Sequence, residues 1–133
     1  MSRLFLILMF GLVFLAGCGR SRPASEGEKE ASYAIITQAE AKEIMDSWQD
    51  VIILDVRTQA EYDEGHIPGA LLLPNESIGD QEIETLPDKE QTILIYCRSG
   101  NRSKQAAQKL VELGYTNVYE FGGIITWPYE IVE

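Results

Sequence analysis

The sequence predicts an α/β fold in which a parallel sheet carries helices on both faces. Two apolar runs, residues 51–54 and 93–96, are continuously hydrophobic, which is typical of parallel strands buried on both sides. Short apolar runs also alternate with amphipathic segments along residues 33–129, and this alternation indicates repeated βα units. The chain has 133 residues, so we expect one hydrophobic core.

The elements follow the chain in a simple order. Thr37 and Thr58 each precede a glutamate by three residues, and this capping-box pattern predicts the start of two helices. The helix from about Arg102 carries its apolar residues on one face and closes at Gly114. Strands are predicted at residues 33–36, 51–55, 70–73, 92–96 and 118–121, and the amphipathic segments begin at residues 37, 58, 102 and 124.

Residues 1–17 are predicted to be a secretory signal peptide. Arg3 gives this segment a positive start, and residues 4–15 form an apolar run too short to remain as a membrane-spanning helix. The run ends in L-A-G-C, which resembles the bacterial lipobox, where the cysteine receives a diacylglycerol and becomes the mature N-terminus. Cys18 is therefore the predicted lipidation site.

Residues 18–32 are predicted to be a lipidated flexible tether, because they contain polar and small residues that bury little surface. The globular domain then spans residues 33–133. These predictions place the protein outside the cytoplasm, anchored by lipid to a bacterial membrane, either the cell membrane or the outer membrane. Once Cys18 is acylated, Cys97 is the only remaining thiol, so no internal disulfide is possible.

Charge and composition exclude several classes of function. The chain has 11 Lys and Arg against 21 Asp and Glu, a formal net charge of −10, which argues against nucleic acid as a partner. One histidine and two cysteines do not supply the ligand set of an ordinary zinc site, so no metal is predicted. Any anion-binding site must therefore be local.

The segment C-R-S-G-N-R-S at residues 97–103 is the predicted site of chemistry. It joins a buried strand to a helix, and the carboxyl ends of parallel strands are the usual location of sites in α/β sheets. A tight loop at Gly100 and the positive end of the helix would surround the Cys97 sulfur with N–H groups and favour its thiolate. Arg98 and Arg102 can add positive charge and bind an oxyanion.

Four motifs resemble those of single-domain rhodaneses, the thiosulfate sulfurtransferases. In chain order they are D-V-R at residues 55–57, E-Y-x-x-G-H-I-P-G-A at 61–70, C-R-S-G-x-R-S at 97–103 and G-G-x-x-x-W at 122–127. The resemblance extends from about residue 33 to residue 129. It implies a five-stranded parallel sheet flanked by helices on both faces, and no cofactor.

The resemblance also implies a reaction. The Cys97 thiolate would take the outer sulfur of thiosulfate, or of a similar small anionic donor, and hold it as a persulfide until a thiol or cyanide accepts it. A thioredoxin-like protein is one candidate partner. The residues that would form the substrate and persulfide cradle are Arg98, Ser99, Gly100, Asn101 and Arg102.

Other polar and aromatic residues in these motifs are interpreted as structural. Asp55 and Arg57 are expected to form an ion pair near the site, and His66 to be a hydrogen-bonding turn residue. Trp127 is expected to lie in the core or in a pocket wall, and Trp48 in the core.

Two other functions fit parts of the pattern. One is a cysteine-loop phosphatase or arsenate reductase, but those phosphatases use C-x5-R, whereas four residues separate Cys97 from Arg102. The other is a membrane-anchored sulfur carrier or docking module that has kept the fold.

Overall fold

The computed structural model describes residues 32–133. One sheet of five parallel strands has the order β1-β5-β4-β2-β3. The strands are β1 (Ala34–Ile35), β2 (Val51–Asp55), β3 (Leu71–Leu72), β4 (Thr92–Cys97) and β5 (Val118–Gly123). The helices are α1 (Gln38–Ser47), α2 (Gln59–Glu64) and α3 (Asn101–Glu112), with 3-10 turns at Asn75–Ser77 and Ile124–Thr126. The predicted five-stranded parallel sheet is confirmed. The predicted signal peptide and the tether up to residue 31 lie outside the described residues.

β4 is the central strand and contributes to a core on each face. Ile95 and Cys97 pack in the cluster that includes the apolar face of α3, whereas Leu94 and Tyr96 pack in the cluster that includes Ala41 of α1. Alternate side chains of a strand point to opposite faces, which explains this division. Helices therefore cover both faces, as predicted.

The helix starts follow from their capping residues. At α1 the Thr37 hydroxyl accepts from the Glu40 N–H, and the Glu40 carboxylate accepts from the Thr37 N–H, which completes the predicted capping box. At α2 the Thr58 hydroxyl accepts from the Glu61 N–H, but the Glu61 carboxylate is drawn to Arg102 of α3. The second threonine thus serves as a cap, while its glutamate links two helices.

Two expectations from the sequence are wrong in detail. Trp48 is 50% exposed rather than buried, because it follows the last residue of α1 at the surface end of that helix. The segment from Ile124 forms a single 3-10 turn rather than a longer helix, and Trp127 after it packs partly buried against Phe121. No helix within residues 32–133 has both the length and the apolar character needed to cross a membrane.

Candidate active site

Cys97 lies at the carboxyl end of the central strand β4, where the chain turns into α3. The pairing of β4 with β5 shifts there: Ile95 is opposite Glu120, but Cys97 is opposite Gly123. β5 therefore has one extra residue in this stretch, and Gly122 within it has a φ of +93°. This irregularity places Gly122 and Gly123 of β5 against the cysteine loop.

Gly123 allows the cysteine loop to pass close to β5. A Cβ atom on this residue would lie 1.9 Å from the carbonyl oxygen of Arg98, a distance that no side chain can occupy. The same carbonyl accepts a hydrogen bond from the Ile125 N–H at 3.2 Å. The two glycines of the G-G motif thus position the backbone of the cysteine loop.

Gly100 directs backbone N–H groups toward the Cys97 sulfur. It has a φ of +106°, a left-handed conformation that glycine adopts without strain, and it directly precedes the first residue of α3. Its N–H donates to Cys97 Sγ at 3.0 Å, and the Ser103 hydroxyl oxygen lies 3.4 Å from the same sulfur. Cys97 itself is 1% exposed.

These contacts lower the pKa of the Cys97 thiol below its ordinary value. Burial acts in the opposite direction and would raise this pKa, because it disfavours the charged form. Hydrogen bonds from the Ser103 hydroxyl and from the backbone N–H groups of Ser103, Gly100 and Ser99 outweigh it. The cradle predicted around this sulfur thus contains backbone N–H groups, together with a serine hydroxyl that was not assigned to it.

The two arginines of the loop have different surroundings. Arg102 donates to the two carboxylate oxygens of Glu61 at 2.7 and 2.9 Å, so its charge is already paired. Arg98 is exposed and forms no ion pair with any residue that the structure describes. Arg98 therefore remains available to an incoming anion. Asn101 is exposed and begins α3, and Ser99 is exposed in the loop.

A pocket of about 250 Å³ lies beside the loop. Its lining includes the side chains of Arg98, Ile125 and Ile131, and the last two are 64% and 52% exposed. Arg57 and Glu61 also line it. An anion entering here would meet the free guanidinium of Arg98 beside exposed isoleucines, and the lining also includes the carboxylates of Glu61 and Glu64. A second cavity has a volume of about 290 Å³ and is lined in part by Ile53. No residue of the cysteine loop lines it.

Asp55 and Arg57 form a buried ion pair, as expected, with Arg57 Nη2 and Asp55 Oδ2 separated by 2.7 Å. The Tyr96 hydroxyl donates to Asp55 at 2.6 Å and accepts from the Ile67 N–H, and burial together with the Asp55 contact raises the pKa of Tyr96. His66 stacks on the Tyr62 ring at 3.7 Å. These contacts brace the ends of β2 and β4.

Comparison with known proteins places this site in a family. The model of the Rhodanese-like domain family matches residues 37–127, more than half of the chain. The chain belongs to the rhodanese-like family. It is 42% identical over 96 residues to the thiosulfate sulfurtransferase GlpE of Coxiella burnetii, a match covering 71% of this chain and 87% of that protein.

Two further comparisons agree. The chain is 37% identical over 71 residues to the thiosulfate sulfurtransferase PspE of Escherichia coli, covering 53% of this chain and 68% of that protein. Its rhodanese-like fold resembles the crystal structure of a rhodanese-related protein from Thermoplasma volcanium, with a TM-score of 0.63 and 28% identity, over 75% of this chain and 98% of that one. The protein is a rhodanese-type sulfurtransferase.

The rhodanese-like domain contains two site residues that were not assigned from the sequence. The Ser103 hydroxyl contacts the Cys97 sulfur, and behind it lies the Glu120 carboxylate, with 2.6 Å between Ser103 Oγ and Glu120 Oε1. Glu120 is 1% exposed. One signal was present in the sequence: Glu120 interrupts the apolar run of β5, two residues before the first glycine of the G-G pair. Within residues 32–133, no group of three or more His, Cys, Asp or Glu side chains is arranged to hold a metal ion.

Proposed function

We propose that this rhodanese transfers sulfane sulfur from thiosulfate, or a similar small anionic donor, to a thiol or cyanide through a persulfide on Cys97. The observation that carries the proposal is the ring of donors around the cysteine sulfur, led by the Gly100 N–H at 3.0 Å. A preorganised group of N–H donors stabilises an anion wherever it develops within the ring. Both the thiolate and the persulfide are such anions.

The first half of the reaction is a displacement at sulfur. The Cys97 thiolate forms a bond to the outer sulfur of thiosulfate, and the S–S bond of thiosulfate breaks. Sulfite leaves with that bonding pair, and the persulfide keeps the single negative charge of the thiolate. Arg98 is assigned to the sulfonate oxygens of the donor, because Arg102 is paired with Glu61.

The second half regenerates the enzyme. A thiolate or cyanide attacks the outer sulfur of the persulfide, and the Cys97 sulfur leaves as the thiolate in the same N–H cradle. The exposed side chains of Ile125 and Ile131 beside the loop also suit contact with a protein that presents a thiol. A thioredoxin-like protein therefore remains a candidate acceptor.

We also propose that Cys18 carries a diacylglycerol and anchors the protein outside the cytoplasm. The L-A-G-C segment at residues 15–18 supports this location, because it follows an apolar run of signal-peptide length. The domain would then act at a membrane surface, where an exported sulfur carrier or thiol protein can reach it.

Steady-state sulfite release tests the activity. The purified protein is mixed with thiosulfate and cyanide, and sulfite and thiocyanate are measured together. We expect equal amounts of both products, and neither from a Cys97→Ser variant. Sulfite release that persists in Cys97→Ser would contradict the assignment of the nucleophile.

A further inference from the structure

Glu120 is a buried carboxyl group beside the reactive cysteine. Its residue is 1% exposed, and the ion pairs found among residues 32–133 do not include it. Glu120 Oε1 accepts a hydrogen bond from the Gly122 N–H at 2.8 Å and lies 2.6 Å from Ser103 Oγ. A buried carboxylate without a cationic partner is costly, so its presence in an apolar strand indicates a role beyond packing.

Ser103 connects Glu120 to Cys97. Its hydroxyl oxygen is 3.4 Å from the sulfur on one side and 2.6 Å from Glu120 on the other. A serine hydroxyl has one proton to donate. Ser103 Oγ also lies 2.9 Å from the carbonyl oxygen of Gly100. If the proton points to Glu120 or to that carbonyl, Ser103 can only accept from a Cys97 thiol. If it points to a Cys97 thiolate, the short oxygen–oxygen contact requires a proton on the Glu120 carboxyl group.

The charges of the site favour the second arrangement when Cys97 is ionised. Negative charges on the sulfur and on the carboxylate would be separated by no more than two hydrogen bonds, and buried like charges this close do not both ionise readily. Arg102 of α3, whose charge interacts with Cys97, is already paired with Glu61 of α2, and Arg98 is exposed to solvent. The Cys97–Ser103–Glu120 cluster therefore holds one negative charge.

We propose that Glu120 is a positioning residue that holds the proton of Cys97, acting through the Ser103 hydroxyl. The Cys97 S–H bond breaks and its proton goes to Ser103 Oγ, while the Ser103 O–H proton goes to Glu120 Oε1. The negative charge moves from the carboxylate to the sulfur, and no proton leaves the site. This inference rests on the proposed persulfide route, in which the thiolate is the attacking species.

The arrangement keeps the charge of the site constant during sulfur transfer. The persulfide has the same charge as the thiolate that it replaces, so the proton stays on Glu120 throughout. A donor dianion such as thiosulfate then approaches one buried negative charge rather than two.

Proton counting during alkylation tests the proposal on the full chain. Thiolate absorbance in the ultraviolet is recorded near neutral pH as the difference between the protein and its Cys97→Ser variant, which removes any signal from Cys18. Iodoacetamide, a neutral reagent, is then added in weak buffer, and an indicator dye counts the protons released beyond those released by the same chain carrying Cys97→Ser, because a free Cys18 thiol also loses its proton on alkylation. We expect thiolate absorbance together with one released proton, because Glu120 ionises when the neighbouring charge is lost. A Glu120→Gln variant should retain the absorbance and release none, whereas Glu112→Gln, at the exposed end of α3, should match the parent.

Two results would overturn the proposal. Thiolate absorbance without proton release means that Glu120 is ionised in the resting protein, and no thiolate absorbance means that the proton stays on sulfur. If Glu120→Gln does not fold, the infrared difference spectrum of the unmodified protein decides: a protonated-carboxyl band must disappear on alkylation, and its absence contradicts the proposal. Sulfur loading from thiosulfate is measured separately by mass, so its failure would reject the proposed function without changing the proton count.

Discussion

Arg102 and Glu61 join α3 to α2 through two hydrogen bonds of 2.7 and 2.9 Å. The contact lies in the first turn of α3, directly after the cysteine loop. The contact with Arg102 lowers the pKa of Glu61 from 4.5 to about 2. Arg102, which the sequence predicts to bind an oxyanion, therefore holds α2 against α3.

This ion pair predicts a pH-dependent contribution to stability. Because the folded-state pKa of Glu61 is depressed, the contribution is complete above about pH 4.5 and is lost as the pH falls toward 2. At pH 7, Glu61→Gln should reduce the free energy of unfolding by about 1 kcal/mol, and this difference should shrink between pH 4.5 and 2. Urea unfolding across pH measures it, with the exposed Glu64→Gln as control. A difference that stays constant down to pH 2 would contradict the role of the pair.

Ser103 is predicted to lower the pKa of Cys97. Replacing it with alanine removes the hydroxyl 3.4 Å from the sulfur, so the midpoint of alkylation rate against pH should rise. In the parent this midpoint should lie below the reference of about 8.5. Ser47→Ala, on the exposed end of α1, provides the control. An unchanged midpoint in Ser103→Ala would refute the assignment.

Gly123→Ala should abolish most sulfur transfer. The added Cβ would meet the Arg98 carbonyl at 1.9 Å, so the loop must move and its N–H groups must leave the sulfur. Loss of one such donor commonly costs about 100- to 1000-fold in rate. Gly79→Ala adds a Cβ in open space and should remain active. Near-normal turnover by Gly123→Ala would show that the loop tolerates displacement.

The length of the cysteine loop predicts its specificity. Four residues between Cys97 and Arg102 form a cradle suited to one sulfur atom, so the protein should take sulfur from thiosulfate and fail to hydrolyse an aryl phosphate. Inserting one residue after Gly100, where the loop meets the exposed first residue of α3, should stop sulfur transfer while circular dichroism remains unchanged, because the flanking strand and helix keep their sequences. Measurable phosphatase turnover by the parent would favour the phosphatase alternative.

Lipidation at Cys18 is tested by processing in a bacterial host. Cys18→Ser should accumulate as the uncleaved precursor, whereas the parent should partition into detergent with acyl chains on its first residue. A lipid-free mature N-terminus in the parent would exclude the proposed anchor.

The sequence predicted the parts of the site that local patterns determine. Cys97 follows a run that is apolar on both faces and precedes a helix with a clear apolar stripe, so its position at the carboxyl end of a buried parallel strand could be inferred. Glu120 could not be assigned, because its contact with Ser103 depends on the shifted pairing of β4 and β5. The pairing of Arg102 likewise depends on a partner 41 residues away, on another helix.

Intact mass after incubation with thiosulfate tests the central claim most directly. The purified protein is mixed with excess thiosulfate, separated from it without reductant, and its mass is recorded beside that of the Cys97→Ser variant. We expect the parent to gain one sulfur atom, to lose it when cyanide is added, and the variant to gain none. A parent that releases sulfite without ever gaining sulfur, or a variant that gains sulfur as the parent does, would contradict the persulfide on Cys97.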